Sequence, residues 1–369
     1  MRVLLCGGGT AGHVMPAIAM AEIIKKHFPK AAIAFVGREG GKENEAYVRT
    51  EHELYEIKIS GFSRSFSINN IKTVFNVIKS GRLAKSIIND FKPDIIIGTG
   101  GYVCYPLIRQ GQRLNIKTII HESNASPGLV TKLLGGRCDK VLLNIASTEK
   151  YLKRTDNIAV VGNPLRRDFS YLTKSDARKR LGINDAQVLI VSFGGSLGSE
   201  VLNKHICDLI SRYTLEDNKL VHIHSTGRSH FDRVKAEHPK LFSTSNNIRI
   251  LPYIEDVPTA LIAADIAITR SGAMTISELC RSKTASILIP SPNVTANHQL
   301  INAKEMERIG ASVVIEEKAL SSELLNQEIR RIIDTKDLLR DMAENAHLAF
   351  PKNTEKIIAS ILKIMISDK

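Results

Sequence analysis

Gly7-Gly8-Gly9-Thr10-Ala11-Gly12, which follows Val3-Leu4-Leu5, is one of three glycine-rich turns that each come after a short apolar run. The others are Gly98-Thr99-Gly100-Gly101 after Ile95-Ile96-Ile97, and Gly194-Gly195-Ser196-Leu197-Gly198 after Val188-Leu189-Ile190-Val191. A strand that ends in glycines and runs into a helix presents backbone N–H groups at a positive dipole end, which suits phosphate. Three such turns, spread over both halves of the chain, predict a phosphate-bearing ligand bound between two similar α/β halves.

The segments around the turns support that reading. Val3–Leu5, Ala32–Val36, Ile95–Ile97, Thr118–Ile120 and Lys140–Leu143 are apolar throughout and alternate with helical or loop stretches, the first helix running from about Pro16 to Lys26. Strands without a polar face belong to parallel sheets covered on both sides. The rhythm restarts after Gly162-Asn163-Pro164 with Val188–Val191, Leu220–Ile223, Ile248–Leu251, Ile266–Thr269, Ser286–Ile289 and Ala311–Val314. We therefore expect two domains, 1–163 and 164–349, joined by a short hinge. A last helix near Thr354–Met365 carries Ile357, Ile358, Ile361, Leu362 and Met365 at helical spacing, as a core-packing helix does.

Composition narrows the function classes. With 369 residues, 43% hydrophobic and 24% charged, the chain has the make-up of a soluble globular protein. No apolar run approaches the roughly 18–20 residues that span a bilayer. The N-terminal apolar segment is too short for a signal peptide, so a cytoplasmic location is expected. Cys6, Cys104, Cys138, Cys207 and Cys280 are far apart with no C-x-x-C pair, which predicts buried, reduced thiols. The net charge of +13 suits an anionic membrane or nucleic acid; absent tryptophan and 5% aromatics argue against a base-stacking platform. In Gly61–Phe91, Ile68, Ile71, Val74, Phe75 and Ile78 form a stripe among Lys72, Lys79, Arg82 and Lys85, preceded by Phe62, Arg64 and Phe66. Such a helix docks its stripe on a sheet, or meets an anionic membrane surface.

The chemistry gathers at the ends of the strands. Gly7, Gly9 and Gly12 satisfy G-x-G-x-x-G, so a dinucleotide-binding dehydrogenase is a rival. The acidic residue that motif expects after the second strand is matched only loosely by Val36-Gly37-Arg38-Glu39. His13 starts a helix, where the dipole disfavours imidazolium; it is a candidate general base or a histidine that merely hydrogen-bonds the turn. His121-Glu122-Ser123-Asn124 ends another strand, ahead of Pro127-Gly128. His222 and His224 lack a third ligand nearby and read as structural. Arg270-Ser271-Gly272-Ala273-Met274-Thr275-Ile276-Ser277-Glu278 opens a helix with small residues that admit a ligand, and Glu278 is suited to accept both hydroxyls of a ribose. Asn297-His298-Gln299 offers partners for sugar hydroxyls. No D-x-D occurs, so a diphosphate would be met by N–H groups, helix dipoles and a cation such as Arg166. The pattern predicts a metal-independent nucleotide-sugar enzyme.

Gly8-Gly9-Thr10-Ala11-Gly12-His13 with Pro16-Ala17, Gly98-Thr99-Gly100-Gly101-Tyr102-Val103, His121-Glu122-Ser123-Asn124-Ala125 and Gly162-Asn163-Pro164-Leu165-Arg166 strongly resemble the MurG family. So do Gly194–Gly198, Arg270–Glu278 and Asn297-His298-Gln299, in the family's order from residue 7 to about 303. The family comprises bacterial transferases that move N-acetylglucosamine (GlcNAc) from UDP-GlcNAc to undecaprenyl-pyrophosphoryl-N-acetylmuramoyl-pentapeptide. The resemblance implies a GT-B fold, two Rossmann-like parallel-sheet domains facing across a cleft, with the C-terminal helix, about 350–369, crossing back to the first.

It also implies site roles. Ser196 would meet the donor diphosphate, Ile254 the uracil through its backbone, Arg166 the nucleotide-sugar and Glu278 the ribose. Ala273, Met274 and Thr275, followed by Ile276 and Ser277, would line the helix N-terminus near phosphate and sugar. Gln299 and Asn124 would read GlcNAc hydroxyls, and Thr10, Ala11, Gly12 and His13 would close the site from the acceptor side. On that scheme Gly194–Gly198 cradles the donor diphosphate, and Gly7–Gly12 and Gly98–Gly101 the acceptor pyrophosphate. The implied reaction is a single displacement by the acceptor C4 hydroxyl, with His13 or alternatively Glu122 as base, and with no metal and no cofactor. Peptidoglycan synthesis at the cytoplasmic face of the bacterial inner membrane, with an anionic lipid surface and cell-wall synthesis proteins as partners and no nucleic acid, is the implied setting. Ala11, Ser123 and Leu197 replace the usual glycine, glutamine and glutamine. A nucleotide-binding regulator and a sugar-nucleotide epimerase are the other rivals.

Overall fold

The computed structural model describes residues 1–41, 44–59, 69–165, 169, 171–195, 197–242, 247–294, 297–349, 351 and 353–367, without the side chains of residue 11 and residues 69–79. The chain divides into two compact units, Met1–Leu165 with Pro351–Lys369, and Arg166–Phe350.

The first unit holds β1 (Arg2–Cys6), β2 (Ala32–Arg38), β3 (Glu53–Ile57), β4 (Ile95–Gly98), β5 (Lys117–Glu122), β6 (Lys140–Leu143) and β7 (Ile158–Val160). They form one parallel sheet in the order β3-β2-β1-β4-β5-β6-β7. Val3, Leu4, Leu5, Ile95, Ile96 and Ile97 are buried because alternate side chains feed opposite layers. Leu5, Ile95 and Ile97 join a core with Met20, Ile24, Ile358 and Leu362, while Leu4 and Ile96 join one with Ile88, Leu107 and Ile108. The helix Thr354–Ser367 thus packs into the first unit's core, and Glu355 at its start reaches Lys26 and His27, 2.7 Å from each.

The second unit holds β8 (Val188–Phe193), β9 (Leu220–Ser225), β10 (Ile248–Leu251), β11 (Ile266–Thr269), β12 (Ala285–Leu288) and β13 (Ser312–Val314). They form a parallel sheet in the order β10-β9-β8-β11-β12-β13. In both sheets the order reverses beside the first strand, between β1 and β4 and between β8 and β11. At each reversal the glycine turns leave neighbouring strands at the carboxyl edge, the position where open α/β sheets bind ligands.

Two edge strands and the start of the first helix differ from the sequence reading. β3 and β7 are edge strands: Glu-Leu-Tyr-Glu-Ile alternates with charge, and Ile-Ala-Val is only 3 residues long, so neither reads as a buried run. The first helix runs from Ala11 to His27, so Pro16 lies inside it rather than at its start. Proline there takes one N–H from the helix, and Gly12 loses that acceptor role. The stretch from Phe62 to Ile68 lies outside the described residues; Asn69–Phe91 is helical. All five cysteines are free and buried.

His222 and His224 are fully buried on β9, and Ser192 Oγ of β8 lies 2.8 Å from both His222 Nε2 and His224 Nδ1. They are a packed pair braced by a hydroxyl, and among the described residues no group of three or more His, Cys, Asp or Glu is arranged to hold a metal. Burial holds both imidazoles neutral, lowering His222 well below the ordinary value and His224 to about 4. The unfolded chain therefore binds protons that the folded unit refuses. Stability is full above about pH 6.5 and falls as pH drops towards 4, by roughly 3 kcal/mol for His224 alone. Urea unfolding of the second unit should show that loss between pH 6.5 and 5, and His224→Gln should flatten it; equal slopes in both proteins would contradict the account.

Candidate active site

Two glycine turns leave neighbouring strands of the first sheet and interlock. Gly8 N–H donates to Gly100 O at 3.4 Å, and Thr99 N–H donates to Cys6 O at 2.9 Å. The buried Tyr47, stacked on Phe35 with centroids 4.4 Å apart, donates its hydroxyl to Gly7 O at 2.8 Å. Gly9 has a φ of 88°, a conformation open to glycine at little cost. Ala11 instead begins the helix, so its backbone is not left-handed.

His13 sits in the first turn of that helix, half-buried. Its Nδ1 lies 3.1 Å from Gly8 O and 3.3 Å from Thr10 Oγ1. A carbonyl only accepts, so Nδ1 carries the proton in the neutral ring and Nε2 is the basic nitrogen. Thr99 Oγ1 donates to His13 O at 2.7 Å. Gly100, with a φ of 117°, lies against the ring: a Cβ there would fall 2.4 Å from His13 Cδ2. A Cβ on Gly101 would fall 2.1 Å from Gly8 O. The second turn is thus the seat of the imidazole, a role its sequence did not disclose.

Glu122 ends β5 and is buried. One carboxylate oxygen accepts from Asn124 N–H at 3.1 Å and Asn124 Nδ2 at 3.3 Å, the other from Gly128 N–H at 2.9 Å and Thr131 Oγ1 at 2.6 Å. Four donors on one carboxylate make it a brace that sets the loop and aims Asn124. Its lone pairs are committed, which argues against Glu122 as the base. Thr148 Oγ1 fixes the same loop by donating to Asn124 O at 3.0 Å.

In the second unit, the turn after β8 has Gly195 at φ 91° and Gly198 at φ 77°, with Gly198 N–H donating to Gly195 O at 3.0 Å. A Cβ on Gly198 would fall 2.1 Å from Thr226 O, so the turn lies against the loop after β9. Leu197 is 77% exposed at its tip. The helix Glu200–Leu209 follows, capped by Ser199, whose Oγ accepts from Leu202 N–H at 3.3 Å. Arg270, at the end of β11, donates to that Oγ at 2.7 Å and to Ile289 O at 3.2 Å, and is paired with Glu317. This hub ties the glycine turn to the neighbouring loops. Sequence reasoning placed Arg270 in a dense cluster without giving it a role, since its partners are 47 and 71 residues away.

The helix Ala273–Ser282 starts at Gly272. Met274 and Thr275 lie in its first turn, where N–H groups have no acceptor within the helix. Ile276 differs from its expected role: its N–H donates to Gly272 O at 3.0 Å and its side chain is buried, so it supports the helix. Ser277 is also buried, and Glu278 is half-buried one position further along. Gln299 Oε1 accepts from Ser291 N–H at 2.9 Å, and Gln299 O accepts from Ser271 Oγ at 2.8 Å. The loops after β11 and β12 therefore converge on Gln299. Ile254 is buried after β10, on the same carboxyl edge. Ser196 and Arg166 lie outside the described residues.

Gly100→Ala forces a side chain onto His13 from a backbone that disfavours one. Ring displacement should lower kcat by about 10-fold or more, with donor KM unchanged. Steady-state kinetics and a thermal midpoint check this: a destabilised enzyme with normal kcat would limit Gly100 to folding.

Residues 3–143 match the glycosyltransferase family 28 N-terminal domain, and residues 189–359 match the family 28 C-terminal domain. The chain is 41% identical over 369 residues, 100% of its length and 99% of the relative's, to the UDP-N-acetylglucosamine–N-acetylmuramyl-(pentapeptide) pyrophosphoryl-undecaprenol N-acetylglucosamine transferase of Acetivibrio thermocellus. The enzyme of the same name from Alkaliphilus metalliredigens is 35% identical over 368 residues, covering 100% of both chains. Among solved structures, Acinetobacter baumannii MurG superposes with a TM-score of 0.77 at 24% identity, covering 98% of this chain and 99% of that one. The UDP-GlcNAc 2-epimerase of Neisseria meningitidis bound to UDP-GlcNAc gives 0.65 at 15%, covering 98% and 99%. Two Rossmann-like parallel-sheet units with these matches make the fold α/β of the GT-B class, and the chain belongs to glycosyltransferase family 28, in its MurG branch.

Proposed function

We propose that this chain is an inverting hexosyltransferase. It moves GlcNAc from UDP-GlcNAc to the C4 hydroxyl of undecaprenyl-pyrophosphoryl-N-acetylmuramoyl-pentapeptide, forming the β-1,4-linked lipid II of peptidoglycan synthesis. One observation carries the reading: each unit gathers its glycine turns and polar side chains at the switch point of its own sheet. Two phosphate-bearing substrates need two such switch points, and full-length relatives of 35–41% identity carry this transferase's name.

The second unit takes the donor. Its diphosphate lies at the Gly194–Gly198 turn and the start of the helix Ala273–Ser282, where N–H groups and two helix dipoles meet the charge. Arg166 and Ser196 add a cation and a hydroxyl. Glu278 takes the ribose hydroxyls, the Ile254 backbone the uracil, and Gln299 the sugar, its amide oriented by Ser291. The first unit takes the acceptor, with Thr10, Ala11 and Gly12 beside its pyrophosphate and Asn124 toward the sugars. The acceptor O4 attacks C1 of the α-linked GlcNAc as the C1–O bond to phosphate breaks. UDP leaves with that electron pair, and the hydroxyl proton passes to His13 Nε2. Binding groups stabilise the departing diphosphate, and no metal is required of them.

UDP release should depend on the lipid acceptor. Release without it would indicate an epimerase, and stabilisation by UDP-GlcNAc without release a regulator. Thermal stabilisation by NAD(P) but not UDP would indicate a dehydrogenase. His13→Ala should lower the single-turnover rate by about 10² or more; a near-normal rate would remove His13 as base.

A lipid-linked acceptor calls for a peripheral enzyme at the cytoplasmic face of the inner membrane. We assign the contact to the segment 61–91 of the first unit, where Arg82 and Lys85 are exposed on the helix Asn69–Phe91. Changing Phe62, Phe66 and Phe75 to serine should weaken sedimentation with anionic vesicles while circular dichroism stays unchanged. Equal binding would return this helix to a purely packing role.

A further inference from the structure

The carbonyl that orients His13 belongs to a run of three glycines, Gly7-Gly8-Gly9: Gly8 O accepts from His13 Nδ1–H at 3.1 Å. Glycine has the most backbone freedom to lose on folding, so three in a row make a soft support for an imidazole. Groups outside the run must hold it.

Tyr47 is such a group. It lies 40 residues further on, in the short helix Asn44–Val48 after β2, and is fully buried in the core that holds Leu5, Phe35 and Ile97. Its ring stacks on Phe35 with centroids 4.4 Å apart and planes at 17°, which fixes where the phenol oxygen lies. That hydroxyl donates to Gly7 O at 2.8 Å. Gly7 C=O and Gly8 N–H belong to one planar peptide and point in opposite directions. Tyr47 holds the first, and Gly100 O accepts from the second at 3.4 Å. A separation of 2.8 Å is ordinary for O–H···O, whereas 3.4 Å is long for N–H···O, so the tyrosine is the firmer anchor. Rotation of this peptide would change φ of Gly8 and swing Gly8 O away from the imidazole.

A buried phenol hydroxyl needs an acceptor, and many backbone carbonyls would serve. What distinguishes Tyr47 is the carbonyl it takes, one peptide away from the carbonyl that His13 uses. Gly7 is also closely packed at this point: a Cβ there would fall 2.3 Å from Thr99 Oγ1 and 2.7 Å from His13 O.

We propose that Tyr47 is a positioning residue for the transfer reaction, acting on His13 through the Gly7–Gly8 peptide. Its hydroxyl fixes that peptide, and Gly8 O then holds the proton on Nδ1. Nε2 keeps the lone pair and the direction with which it takes the acceptor's hydroxyl proton. The inference rests on the reading of His13 as the base.

Tyr47→Phe removes one oxygen and keeps the stack on Phe35, so its circular dichroism should match that of the wild type. Single-turnover rates with saturating UDP-GlcNAc and a soluble acceptor analogue are compared for the wild type, Tyr47→Phe, His13→Ala and the double variant. Tyr47→Phe should lower the rate by about 10-fold, since a small displacement of the base is enough for that, and leave the steady-state KM for UDP-GlcNAc unchanged. In the His13→Ala background the same substitution should change the rate by less than about 2-fold, because no imidazole is left to misplace. A normal rate for Tyr47→Phe beside a slow His13→Ala would overturn the proposal and leave the base assignment standing. An equal loss in both backgrounds would also overturn it, since the hydroxyl would then support only the turn. A near-normal rate for His13→Ala would remove the base itself, and this proposal with it.

Discussion

The constraint on which the rest depends is that the strands of both sheets run parallel. A parallel pair cannot be closed by a tight hairpin, so each connection crosses a face and the chemistry-bearing loops collect at the carboxyl edge. Where strand order reverses, the helices that follow the two neighbouring strands pack on opposite faces of the sheet while their first turns stay side by side. The turns after β1 and β4 flank one reversal, and those after β8 and β11 flank the other. Topology alone therefore places His13 beside Gly100, and Arg270 beside Ser199, across 86 or fewer residues of intervening chain.

Within that frame, charged groups work as positioning elements. Glu122 and Arg270 are both largely withdrawn from solvent, which is costly unless every lone pair or N–H is matched. Glu122 is matched by four donors, Arg270 by a carbonyl, a hydroxyl and a carboxylate. Removing one partner of such a group leaves a buried charge uncompensated, so each loop has one arrangement in which the whole set is satisfied. That rigidity is what a transfer reaction needs, since the nucleophile, the base and the leaving group must be held to a fraction of an ångström.

The sequence disclosed what has a local signature. Buried parallel strands are uninterrupted apolar runs, and Val3–Leu5, Ile95–Ile97 and Val188–Val191 are read correctly for that reason. The glycine turns announce themselves because few other residues tolerate a φ near 90°. Edge strands β3 and β7 were missed because one face meets water and the apolar run disappears. The helix start at Ala11 was hidden by Pro16, a residue normally taken as a first-turn marker. Long-range partnerships have no signature at all: nothing near residue 100 says that Gly100 must lack a side chain because an imidazole from residue 13 lies there.

Net charge shows the same division between what is local and what is not. The sequence gives +13 but does not say where the excess resides, and a positive chain gains no fold stability from unpaired cations. Most cations that meet a carboxylate do so on exposed surfaces, where pairing contributes little to stability. Arg109, Arg113 and Arg137, at the amino-terminal edge of the first sheet, are different, because they line one cavity whose carboxylate, Asp139, is already engaged by Lys117. Parallel topology sends the transfer chemistry to the carboxyl edge and leaves this opposite edge free of it.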